Sequence, residues 1–274
     1  MTLMNANDNP YIIEETDDFA VIFKPSKMHT SAKNNMQNFT ANHDPLIQHE
    51  LTQTKQSEQG TLLDWYKEQC PQVFDVMHRL DYETHGLVLF AKNEKSFNFF
   101  KDLQDRGNFI KEYSAICSRV VNEPQHNFSL KGFPQRSVDF CTSVKNNLPL
   151  IIESYFRPFG PGRKLVRPVI DDGKKHKEIT KDKGGFYQTE IININENIFT
   201  VRIKRGFRHQ IRCHLCWIGS PIRGDPLYSI ELPSHAENFP ADFLALRSHA
   251  LIFADPVNAR MKECRISPIY NIIS

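Results

Sequence analysis

The sequence predicts an α+β fold with a largely antiparallel, mixed sheet flanked by helices and loops, and three observations predict it. Short β-rich runs bounded by turn residues recur along the chain. Helical periodicity is confined to a few short segments. Strands and helices mix without a regular βαβ repeat, and no internal repeat of fixed period is present.

Taken in order, residues 11–25, "YIIEETDDFAVIFKP", read as a strand, an acidic turn and a second strand that Pro25 stops. Residues 33–60 turn polar, rich in Asn, Gln, Thr, His and Lys, and read as a long surface loop. Gly60 leads into "TLLDWYKEQ", a short helix whose exit Pro71 marks. After Asp81 comes "GLVLFAK", whose run Leu87–Ala91 suggests a buried strand. A helix capped by Asn93 follows, with Phe97, Phe100 and Leu103 on one side and Gly107 close to its end. Tyr113–Val121 and Leu150–Phe156 read as strands, and residues 157–183 as a basic loop. "YQTEIININ" and "IFTVRIK" form an expected hairpin around Asn195–Asn197. "RHQIRCHLCWIG" reads as a helix, with Ile211, Leu215 and Ile218 on one face and Gly219 as its stop. Leu244–Phe253 is a strand near the end of the fold.

The 274 residues suffice to bury a sizeable core, and 40% hydrophobic with 24% charged residues are ordinary values for a globular protein. No run approaches the ~20 apolar residues of a membrane span. The N-terminus has neither a basic start nor an apolar core, so no signal peptide is read and a cytoplasmic protein is expected. Six cysteines without an export signal are expected to be reduced thiols. A formal charge of +2 does not argue for nucleic acid by itself. Its distribution matters more: Arg157 to Lys183 holds nine Lys/Arg against four Asp/Glu, which suits phosphates or simply a solvated loop.

Three stretches could carry chemistry. "HRLDYETHG", residues 78–86, places the Asp81 carboxylate beside Arg79 and His78, directly before an apolar strand. That is a good place for a catalytic group, although an Asp that only caps a turn reads the same way. "KRGFRHQIRCHL", residues 204–215, sets Arg208 and Arg212 one helical turn apart behind Gly206. One arginine would suit a phosphate and the other a catalytic carboxylate; the plain alternative is a solvated basic face. The same segment offers a metal reading through His209, Cys213, His214 and Cys216, but no second CxxC exists. "PIRGDPLY", residues 221–228, holds Asp225 in a turn. GxSxG, Walker-type and GxGxxG motifs are missing from the sequence, leaving hydrolase, NTPase and dinucleotide readings unsupported.

Together these stretches resemble the RluA family of RNA pseudouridine synthases. "HRLDYETHGLVLFAKN" is similar to that family's HRLDxxTSGLLLxAKN, and "FIKEYSAIC" to its KxYxA stretch. "GFRHQIRCHLCWIGSPIRGDPLY" is similar to GRxHQIRxHLxxxGxPIxGDxxY, "VIFKP" to VxNKP, and "LRSHALIFADP" to LHAxxLxFxHP. The matches run in family order from about residue 11 to residue 256. The departures are Phe207 where the family has arginine, His85 where it has serine, and Arg247-Ser248 where it has His-Ala.

The resemblance implies one pseudouridine synthase catalytic domain over residues 1–274, with the polar insert and the basic loop as additions and no S4 domain ahead of it. It implies conversion of a uridine in ribosomal or transfer RNA to pseudouridine, with no cofactor and no metal. Asp81, Tyr113 and Arg212 are the implied catalytic residues. Asp81 would act as nucleophile or base, Tyr113 would offer its ring to the uracil, and Arg212 would keep the carboxylate ionised. Arg79, Lys111, Arg208, His209 and Gln210 are the implied RNA contacts. RNA is the expected partner and a monomer the expected state. The alternatives are an inactive RNA-binding protein of the same fold and a zinc-dependent hydrolase built on the His/Cys helix.

Overall fold

Thr16 makes the first turn: its hydroxyl accepts from the backbone N–H groups of Asp18 and Phe19 at 3.2 and 3.1 Å. This folds β1 (Tyr11–Glu15) antiparallel onto β2 (Phe19–Lys24), as the acidic turn suggested. The computed structural model describes residues 9–32, 60–118, 132–134, 148–170, 186–228 and 243–268. They belong to two compact units, Met4–Asp102 and Leu103–Ser274.

In the first unit β2 pairs antiparallel with β4 (His85–Ala91), and the two-residue β3 (Asp75–Val76) adds to β4. Every residue of β2 and β4 is buried, so their near-unbroken apolar runs are those of strands without a solvent face. Helix α1 (Leu62–Gln69) starts in a capping box: Thr61 takes the Asp64 N–H while the Asp64 carboxylate takes the Thr61 N–H. Its next orphan donors go elsewhere, from Leu62 N to His29 O at 2.9 Å and from Leu63 N to Thr30 O at 3.0 Å. Leu62, Leu63 and Tyr66 are its buried face. Helix α2 (Glu94–Asp105) is capped by Asn93, whose Oδ1 accepts from Ser96 N at 2.9 Å, and Phe100 is its fully buried anchor.

The second unit is an antiparallel sheet in the order β11–β10–β5–β9–β8–β6–β7. Its strands are β5 (Ile110–Ile116), β6 (Leu150–Phe159), β7 (Leu165–Val169), β8 (Tyr187–Asn195), β9 (Ile198–Ile203), β10 (Leu246–Ala254) and β11 (Met261–Arg265). Helix α3 (Gln210–Trp217) contributes Cys213 and Cys216 to a core cluster with Phe156, Val166, Tyr187 and Tyr228. All five described cysteines are free thiols. Among the described residues no helix is long and apolar enough to cross a membrane.

Several elements differ from the sequence reading. β5 begins at Ile110, earlier than expected, because Lys111 and Glu112 look like loop residues but lie inside the sheet. Glu112 is matched there by Arg202 of β9, at 2.6 Å from Nη2, and by Arg265 of β11, at 2.9 Å. The basic loop starts instead as a hairpin: β6 runs on to Phe159 and returns as β7. Pro158 is tolerated in β6 because β8 pairs with that strand only up to Ser154, and Pro168 lies in the edge strand. β3, β7 and β11 are short strands the sequence did not mark. Residues 33–59 of the polar insert, 119–121 of the expected strand and 171–183 of the basic loop lie outside the described residues.

Two imidazoles inside the second unit tie its stability to pH. His214 lies between Ser154 Oγ and Thr189 Oγ1, each at 2.8 Å, and burial pushes its pKa down to about 3. His249 is pushed down to about 4, chiefly by burial and then by Arg265. In the unfolded chain both would titrate near 6.5, so below that pH the unfolded state takes up protons that the fold excludes. Stability is therefore present above about pH 6.5 and is lost on acidification, at most by about 1.4 kcal/mol per pH unit per imidazole. The melting temperature followed by circular dichroism is expected to fall steadily from about pH 6.5 to 4, and less steeply in His214→Gln. A flat profile in the wild type would mean that the folded protein protonates both rings without cost.

Candidate functional site

Residues 77–84 connect β3 to β4, and exposure alternates from His78 to Asp81. His78 and Leu80 are buried, Arg79 is exposed, and Asp81 is half-buried. This is the register of an extended segment lying on a core, with every second side chain inward. The segment ends in a turn where Thr84 N donates to Asp81 O at 3.1 Å. Asp81 thus stands where an extended segment meets a turn, directly before the buried strand β4, and Tyr82 beside it is 40% exposed. His85, the departure from the family's serine, is fully buried with its ring edge toward Phe23.

What holds this loop is the stretch after β2. Lys24 has no exposed surface, and its ammonium donates to Pro25 O at 2.9 Å, Met28 O at 2.7 Å and Tyr82 O at 3.3 Å. Three carbonyls use all three N–H bonds of the charged form. Burial pulls the pKa of this lysine down to about 7, against the negative charges of Asp81 and Glu83, which raise it. Ser26 Oγ donates to Glu83 O at 2.8 Å. Thr30 Oγ1 accepts from Leu80 N and donates to Leu80 O, both at 3.2 Å. The backbone on either side of Asp81 is therefore clamped by Lys24, Ser26 and Thr30. The sequence reading quoted "VIFKP" but gave Lys24 no role. A lysine closing an otherwise apolar strand was the signal available.

The other expected residues lie in the second unit. Tyr113 sits in β5 between Ser248 of β10 and Val201 of β9, and is 5% exposed. Lys111, expected at a phosphate, is buried instead: its Nζ donates to Lys204 O at 3.2 Å and lies 4.9 Å from the centre of the Phe109 ring. Burial lowers its pKa to about 8.

Around α3 the sequence placed Arg208, His209, Gln210 and Arg212 on one basic helix. The helix starts only at Gln210, behind a left-handed His209 with φ of 56°. Arg208 is therefore outside it and not stacked one turn below Arg212. Its Nη2 donates to Arg163 O at 2.7 Å and Leu165 O at 3.3 Å, which ties it to the turn between β6 and β7. His209 approaches Tyr228, with Nδ1 3.3 Å from the phenol oxygen. Gln210 is 3% exposed and saturated within the fold: it accepts from Phe207 N and donates to Gln188 O and Thr189 Oγ1.

Arg212 is fully buried, and its Nε and Nη2 reach the two oxygens of Asp225 at 2.8 Å each. Asp225 Oδ1 also accepts from Leu227 N and Tyr228 N, so the carboxylate is fixed by its own turn. Such a bidentate pair sets the plane of the guanidinium. Phe207, in place of the family's arginine, stacks on Phe156 at 5.1 Å and an angle of 10°.

The His/Cys set does not converge. Cys213 Sγ faces Val166 O, Cys216 Sγ faces Tyr228 O, and His214 sits between two hydroxyls. Among the described residues no group of three or more His, Cys, Asp or Glu is gathered as a metal would require.

The comparisons with known proteins agree with this architecture. The chain is similar to the human RNA Pseudouridylate Synthase Domain Containing 1 structure, with a TM-score of 0.59 at 16% identity, covering 97% of this chain and 86% of that one. An uncharacterised protein of Caenorhabditis elegans is 28% identical over 220 residues, 80% of this chain and 38% of its own length. The dual-specificity RNA pseudouridine synthase RluA of Vibrio cholerae is 29% identical over 189 residues, 68% of this chain and 62% of its own. The chain thus spans less than two-thirds of either relative. A model described as RNA pseudouridylate synthase matches residues 18–217, a stretch that holds Asp81, Tyr113 and Arg212. With the α+β sheet and the ordered motifs, this places the chain in the RNA pseudouridylate synthase family, on its RluA branch.

Proposed function

We propose that the protein isomerises a uridine of ribosomal or transfer RNA to pseudouridine, with Asp81 as the reacting carboxylate. The observation that carries this reading is the loop of Asp81 itself. It is clamped on both sides by Lys24, Ser26 and Thr30, with Asp81 half-buried and Arg79 exposed. Catalytic groups need a rigid support, and here the backbone on both sides of a half-buried Asp81 is held.

The chemistry asks little else of the protein. The N1–C1′ bond breaks, the uracil turns, and a C5–C1′ bond forms. C5 then loses a proton and N1 gains one, so atoms and electrons balance without a redox partner. A carboxylate can open the first bond by attack at the sugar carbon or by acting as a base there. The uridine must leave its stack to be reached, at a cost of a few kcal/mol. In this reading the ring of Tyr113 receives the uracil, and Arg212, its plane fixed by Asp225, is the arginine that keeps the reacting carboxylate ionised. Arg79 is the RNA contact whose exposure suits a phosphate.

The direct test is a pseudouridine map of ribosomal and transfer RNA from cells with and without the gene, followed by an assay of purified protein. A uridine left unmodified only in the deletion would name the substrate. Asp81→Asn is expected to abolish turnover while leaving the fold and RNA affinity largely intact; activity near wild type in that variant would remove the proposal. Tyr113→Ala is expected to lose activity, and Cys213→Ser to keep it.

The clamp generates a separate expectation. Thr30→Val conserves shape but leaves Leu80 N and O without their partner, a loss of about 1–3 kcal/mol of stability. Because the clamp acts on the position of Asp81, kcat should fall while KM for RNA changes little. A variant destabilised to that degree with unaltered kcat would reduce Thr30 to a purely structural role.

A further inference from the structure

We infer that the outer face of the β6–β7 hairpin, around Tyr155, Arg157, Arg167 and Phe186, binds a single-stranded segment of the RNA. The inference rests on the reading of the chain as an RNA-modifying enzyme and extends it to a surface built from strands.

Side chains alternate along β6: Ile152, Ser154 and Phe156 are buried, while Glu153, Tyr155 and Arg157 point to the other face. On that other face Arg157 stands directly opposite Arg167 of β7. Like charges in direct cross-strand register repel, and a hairpin has no reason of its own to place them so. Among the described residues neither guanidinium has an acidic partner. Arg167 Nη1 donates to Gly132 O, its Nε is buried without a partner, and its guanidinium lies 5.6 Å from the centre of the Phe159 ring. Burial, and after it the charge of Arg157, lowers the pKa of Arg167. An anion between the two arginines would relieve what the described residues leave unrelieved.

The neighbours of this pair narrow the anion. Tyr155 and Phe186 lie with ring centres 4.4 Å apart, and Phe186 is 40% exposed. The acids of the same face are already engaged, Glu153 with Gln188 and Glu190 3.8 Å from Arg202. Open rings next to unneutralised guanidinium groups suit a strand that offers base faces and phosphates side by side. A single strand offers both, whereas a duplex offers phosphates but keeps its base faces stacked.

The experiment is fluorescence anisotropy of the full-length protein with a labelled single-stranded oligouridine and with a duplex RNA of equal length, across a salt series. The wild type is expected to prefer the single strand. Arg157→Gln with Arg167→Gln should lower the slope of log K against log salt by about 1.4, since each phosphate neutralised on a single strand contributes about 0.7. Arg157→Gln alone, which breaks no hydrogen bond among the described residues, should lower the slope by about 0.7 without lowering the melting temperature. Tyr155→Ala should weaken binding about tenfold without changing the slope. An unchanged slope in both arginine variants would overturn the inference and leave the pair to some other acidic partner. Binding is read without turnover, so a wild type that binds as described but forms no pseudouridine would refute the proposed activity alone.

Discussion

The ammonium of Lys24 is the constraint on which the first unit's candidate site depends. A charge without exposed surface persists only when its hydrogen bonds are complete, and here three carbonyls must turn inward to complete them. Two belong to the turn after β2 and the third to Tyr82, so one charge orients the turn beside it and a backbone segment 58 residues away. The same logic extends outward. The first N–H groups of α1 bind the carbonyls of His29 and Thr30, and Thr30 in turn binds both polar groups of Leu80. A helix terminus, a turn and a candidate catalytic loop are thus held in sequence by backbone groups that burial obliges to find partners.

The second unit solves a similar problem with a buried ion pair. Such a pair is weak evidence for stability, because desolvation can exceed the attraction. Its clearer consequence is geometry. Asp225 is held by two backbone N–H groups, Arg212 by both oxygens of Asp225, and the Tyr228 ring lies 5.6 Å from the guanidinium carbon. Tyr228 is tied down by its hydroxyl, which meets both N and O of Val166. Each member has its orientation fixed by another element, so the guanidinium has little freedom to turn. For an arginine expected to act on charge, a fixed plane matters more than a contribution to folding.

Much of this was legible where the determining residues are neighbours in the chain. The β1–β2 turn, the apolar runs of β2 and β4, the Asn93 cap, the β8–β9 hairpin and the Asp81 motif all depend on local composition. What was not legible has a different cause. Lys111 and Gln210 are polar and therefore read as surface, yet their partners are Lys204 O and Gln188 O, 93 and 22 residues away. Nothing local in the sequence announces a carbonyl placed by another strand. The β6–β7 hairpin was hidden by Pro158, Gly160, Pro161 and Gly162, which read as loop breakers. Whether a proline breaks a strand depends on which edge is paired at that position, and that is a property of the sheet.

Phe207 shows how packing can decide a residue at a position where chemistry was expected to. An arginine follows the glycine in the family motif, but here that position joins Phe156 and Tyr187, with ring centres 5.1 Å from each. A guanidinium in the same place would enter an aromatic cluster with Cys213 and Cys216 beneath it and would need a partner the cluster does not provide. The cations instead flank the glycine–phenylalanine step. Arg205 lies over the face of Tyr187 at 4.9 Å, and Arg208 reaches the carbonyls of Arg163 and Leu165. Arg208 spends two hydrogen bonds on the β6–β7 turn and so braces the hairpin that carries Arg157 and Arg167. Phe207 and Arg208 thus divide the step after Gly206 between them, the ring packing on Phe156 and the guanidinium holding the hairpin that carries Arg157 and Arg167.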